Sequence, residues 1–85
     1  MRQEDRIPYC RACWETFCSD HGIRRFGMSP AEFRLACQWF DAAIPLPVVL
    51  RGIHETGGQP RTLLACEEPV KRAAGYWRDA MRGTL

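Results

Sequence analysis

"YCRACWETFCSDHG", residues 9–22, sets three cysteines and one histidine within little more than three helical turns. Two physical readings of this stretch lead to different proteins. Cys10, Cys13, Cys18 and His21 spell C-x2-C-x4-C-x2-H. Thiolate and imidazole are donors that zinc prefers, and four of them complete a tetrahedron. The same residues, with Trp14 and Phe17, also recur at spacings of three and four. That periodicity places them within one face of a helix.

Geometry makes the two readings exclusive. On an unbroken helix Cys10 and His21 lie about 16 Å apart along the axis, at about 1.5 Å per residue. Donor atoms around one zinc ion lie within about 4 Å of each other. A site built from this stretch therefore requires the chain to turn within Trp14–Phe17. The expectation carried forward is that it does so, and that Zn²⁺ stabilises the N-terminal segment. Two alternatives stay open. In one, the cysteines are core packing, since free Cys is often buried. In the other, Cys10 and Cys13 join Cys37 or Cys66 around zinc or an iron–sulfur cluster.

The chain has 85 residues, so a single domain spanning 1–85 with a thin core is expected. Metal binding would supply folding free energy that so small a core lacks. Charged residues make up 26% and apolar residues 46%, which excludes a disordered composition. Close cysteine spacing and an odd count of 5 argue against a disulfide framework. The N-terminus has no signal-peptide pattern and no apolar run reaches bilayer length, so a cytoplasmic location and no membrane partner are expected.

Outward from the opening stretch, residues 1–8 read as a polar arm stopped by Pro8. Gly22 ends the Cys/His segment, and residues 23–28 form a connector. Ser29, Pro30 and Glu32 spell a capping box with proline in the first turn. They open a helix that ends near Ala42, with Phe33, Ala36, Cys37 and Phe40 as its stripe, widened by Leu35 and Trp39. Pro45 and Pro47 introduce a third helix that buries Leu46, Val49, Leu50 and Ile53. "TGGQP", residues 56–60, stops it. A final helical region, Arg61 to Met81, is divided by Pro69 and buries Val70, Ala73, Ala74, Trp77 and Met81. The sum is an all-α fold: four or five short helices around one small core at 29–85, preceded by the Cys/His segment.

No catalytic constellation emerges. His54 beside Glu55 lacks a third positioned group, and "TGG" lacks a phosphate-loop context. Glu67 and Glu68 are adjacent and point apart on a helix. The chain reads as a non-enzymatic module with no small-molecule substrate. Of 12 positive side chains only Lys71 is Lys, yet the net charge is just +2. Arg24, Arg25, Arg61, Lys71, Arg72, Arg78 and Arg82 are the candidates for contact with phosphates or a partner protein. A solvated face is the plainer reading of the same residues. Trp14, Trp39 and Trp77 are expected as core anchors, any one of which would serve an interface equally well.

Ser29–Glu32, Trp39, "AIPLPVVLRGI" at 43–53 and Tyr76–Trp77 carry a resemblance. The run 29–85 resembles small bacterial proteins with a Trp followed by IPL-x-VVLRGI. It is distantly similar to the C-terminal helical domain of DnaD-type replication initiation proteins, although Ala74 stands where that family has Trp. The resemblance implies binding to DNA and to replication partners. Taken with the Cys/His segment and the Arg side chains, the expected function is a zinc-stabilised adaptor or accessory subunit of a protein or nucleoprotein complex. The alternative is a metal-free structural subunit with its cysteines in the core.

Overall fold

The computed structural model describes residues 2–83. Four α-helices follow in chain order: α1 Arg6–His21, α2 Pro30–Asp41, α3 Leu46–His54 and α4 Glu67–Gly83. Short 3₁₀ turns, Gln3–Asp5 and Leu63–Cys66, lead into α1 and α4. No strand occurs among the described residues, so the expected all-α class is found.

Both helix starts that sequence reading displaced contain a proline. Pro8 does not stop an arm; it is the third residue of α1. Pro69 does not divide the last region; it is the third residue of α4, and the break falls earlier, between Cys66 and Glu67. The reason is common to both. The first N–H groups of a helix have no intrahelical acceptor, so a residue without an N–H costs nothing there.

The central element is α1. It lies between α2 and α3, while α4 packs on α3 and on the turn Leu63–Cys66. Phe17, Cys13, Cys10, Val49, Ile53, Leu63, Cys66 and Val70 are almost wholly withdrawn from solvent. The core is therefore built as much from residues 9–17 as from the later helices. Tyr9 adds a tether at its edge, its hydroxyl donating to the Ile44 carbonyl at 2.7 Å. Gly22 closes α1 in the left-handed region at φ 66°, where a side chain is disfavoured.

The start of α2 forms as its sequence dictates. The Ser29 hydroxyl accepts from the Glu32 N–H at 3.2 Å, and Glu32 Oε1 accepts from the Ser29 N–H at 2.8 Å. The buried face of α2 is centred on Leu35, Ala36, Trp39 and Phe40, with Phe33 and Cys37 at its margins.

The α3–α4 crossing depends on Gly52. A Cβ built there would lie 2.6 Å from Val70 Cα and 2.9 Å from its backbone nitrogen. Only a residue without a side chain lets the two backbones approach so closely. Gly52→Ala is expected to destabilise the fold by about 2 kcal/mol, the overpacking cost exceeding any gain in helix propensity. A chemical-denaturation curve checks this; a variant as stable as the parent would show that α3 and α4 do not cross at Gly52.

Candidate functional site

The expected zinc segment is corrected by the course of α1. The helix runs unbroken through Trp14–Phe17, so the chain does not double back. Cys10 and Cys13 face the core, Cys18 is half-buried, and His21 Nε2 bonds to the Ile53 carbonyl oxygen at 2.9 Å. Burial, followed by neighbouring Cys37, pushes the Cys10 thiol up to about 12. Burial, followed by Cys10, does the same for Cys13, also to about 12. Burial raises Cys18 and Cys66 as well. Thiols in such surroundings are held neutral. The four donors do not fit one zinc ion. Among the described residues no group of three or more His, Cys, Asp or Glu is placed to hold a metal.

The basic residues divide by environment. Arg25 turns inward. Its Nη1 and Nη2 donate to Glu32 Oε1 and Oε2 at 3.0 and 2.6 Å, Nη2 also donates to the Arg61 carbonyl, and the guanidinium lies over Trp14. Arg24, Arg61, Lys71, Arg72, Arg78 and Arg82 are exposed. Lys71, Arg78 and Arg82 recur at i, i+7 and i+11, and at about 100° per residue they form one row along α4.

On the far side of α4 from that row lies a cleft against α3. Its volume is about 540 Å³, and its walls include Val48, Arg51, Arg72, Ala73, Tyr76 and Trp77. Arg51 pairs with Glu55 at 3.3 Å on the rim. Tyr76 is 70% exposed and Trp77 is half-buried, unlike Trp14 and Trp39, which sit in the core. The cause is thin cover over the later turns of α4: only Val70 and Ala74 of its 17 residues are buried. Met81, expected in the core, is 57% exposed for the same reason. A second, polar notch is lined by Asp20, His21, Gln59 and Arg61. Beside it, His54 pairs with Asp20 at 3.3 Å rather than with its neighbour Glu55.

No helix among the described residues is long and apolar enough to cross a membrane. No protein family, curated protein or solved structure matches the chain.

The residue whose role exceeds its sequence signal is Glu32. Its motif marked it as half of a capping box. It is in fact wholly buried and also accepts from the Leu63 N–H at 2.7 Å. Burial alone would raise its carboxyl, but the Arg25 bonds, the Leu63 N–H and the Ser29 groups outweigh it and bring it to about 2, from the usual 4.5. A depressed carboxylate gives stability that is complete above its unfolded value and lost as pH falls toward its folded one. Unfolding free energy should therefore fall between pH 4.5 and about 2. Glu32→Gln should remove about 3 kcal/mol at neutral pH, as expected for breaking a buried pair. It should also flatten that acid limb in denaturation curves taken at successive pH values. An unchanged acid limb would assign the acid sensitivity to other carboxylates.

Proposed function

We propose that this protein is a metal-free, non-enzymatic adaptor that docks an acidic amphipathic helix of a partner protein in the α3–α4 cleft. The observation that carries the reading is the thinly covered later part of α4. It presents Tyr76 and a half-covered Trp77 beside an apolar trough, with Arg51 and Arg72 at the rim. Aromatic and Arg side chains around a trough are the composition of interface anchors. A helix laid in such a groove buries its apolar ridge, and flanking carboxylates meet the guanidinium groups.

Charge at the cleft itself favours an acidic partner: its walls carry two cations, Arg51 and Arg72, against one acid, Glu55. The cysteines serve packing in this reading, which makes the protein the metal-free form of an accessory subunit. Contact between the row Lys71, Arg78 and Arg82 and nucleic-acid phosphates is the competing outcome, because that row lies away from the cleft.

The test is selection from a displayed library of helical peptides with a Leu ridge and randomised flanks. Selected peptides are expected to be rich in Asp and Glu. Tyr76→Ala and Arg72→Glu should each weaken their binding about tenfold, the effect of losing an interface anchor. Both side chains are exposed, so melting should be unchanged. Selection of neutral or basic flanks would overturn the reading. So would binding to generic duplex DNA that weakens steeply with salt and is lost in Arg78→Ala/Arg82→Ala.

A further inference from the structure

Five free cysteines are present, and two of them, from different helices, touch. Cys10 Sγ of α1 lies 3.9 Å from Cys37 Sγ of α2, across a contact that joins positions 27 residues apart. A disulfide bond is about 2.05 Å long, so closing this gap takes about 2 Å of combined movement by two side chains. The two thiols differ in access. Cys10 is 1% exposed, whereas Cys37 is half-buried and reachable from solvent.

A third group completes the arrangement. The Arg6 guanidinium lies against Cys37 and bonds to Asp41 Oδ1 through Nη2 at 2.8 Å. Its Nε is buried and has no hydrogen-bond partner. An orphaned donor of this kind costs free energy unless an acceptor forms beside it. An accessible sulfur beside a cation with a second thiol in contact is the arrangement of a reactive cysteine and its resolving partner.

We infer that Cys37 and Cys10 form a two-thiol oxidation site that takes hydrogen peroxide as its oxidant. The Cys37 thiolate attacks one peroxide oxygen; an S–O bond forms, the O–O bond breaks, and the departing hydroxide is protonated to water. Cys37 is then a sulfenic acid. Cys10 sulfur attacks Cys37 sulfur; the S–S bond forms, the S–O bond breaks, and the hydroxyl leaves as water with the Cys10 proton. Two thiols and one peroxide give one disulfide and two waters. The product ties α1 to α2 beside Arg6, away from the α3–α4 cleft, and this inference does not rest on the docking reading.

Cys18 provides the internal comparison. It is also half-buried, but its charged neighbours are Arg25 and Glu32 rather than a second thiol. Cys13 and Cys66 are wholly buried.

The experiment treats the reduced full-length protein with graded hydrogen peroxide and maps the products by peptide mass spectrometry without reduction. The expected product is a Cys10–Cys37 cross-linked peptide that has lost two hydrogens. Its formation should raise Tm by about 10 °C, as closing a loop of this size from the unfolded state does. Cys10→Ser should leave a sulfenic acid at Cys37 that dimedone traps, and Cys37→Ser should abolish both products. Preferential oxidation of Cys18, or a disulfide joining any other pair, would overturn the inference. So would Cys10 and Cys37 remaining reduced under peroxide that oxidises Cys18. The mapping on the parent protein decides the matter even if a serine variant fails to fold.

Discussion

An uninterrupted α1 is the constraint from which the rest of the structure follows. A helix advances about 1.5 Å per residue, so its donors cannot gather at a point. That rise spreads Cys10, Cys13, Phe17 and His21 along a line, and the line becomes the centre of the core. Cys10 meets α2 through Cys37, and His21 meets α3 through the Ile53 carbonyl. Sixteen residues of one element thus reach both neighbours that pack on it. Small, apolar thiols suit this place because the helices on either side come close to α1. The stretch that most invited a metal reading is the stretch most occupied with packing.

The loops are held by a different device. Three segments converge on the Glu32 carboxylate: the connector through Arg25, the α2 cap through Ser29, and the turn before α4 through Leu63. A buried charge without partners would be prohibitively costly, and here four donors surround it. Glu32 sets where the Leu63–Cys66 turn lies, and that turn carries Leu63 and Cys66 into the core. At the other end, Gly52 lets α4 sit hard against α3 at Val70. Beyond this crossing α4 has little beneath it, and the cleft is the consequence.

Much of this was legible in the residues. The capping box, the α3 face and the stop at 56–60 were written in local chemistry and formed where expected. What was hidden was non-local. Nothing near Glu32 in sequence announces Leu63, which is 31 positions away. The same holds for Arg25, which composition groups with the surface cations and the fold commits to a buried acid. Pro8 and Pro69 were over-read as breaks because a first turn tolerates them. The cysteine spacing suited both a metal and a helix, and only the path of the chain separates the two. One non-local contact does have a local signal: a glycine, Gly52, within an otherwise apolar helical face marks a close approach.

The N-terminal helix fills the core with its own side chains, and the less covered surface lies along α4. The metal-free adaptor reading therefore stands or falls with the continuity of α1. The most direct measurement is residue-resolved amide hydrogen exchange in protein stripped of metal by a chelator. The account predicts slow exchange continuing through Trp14–Phe17, unchanged when equimolar zinc is added. Rapid exchange across those four residues in the stripped protein, with protection appearing on zinc addition, would contradict it.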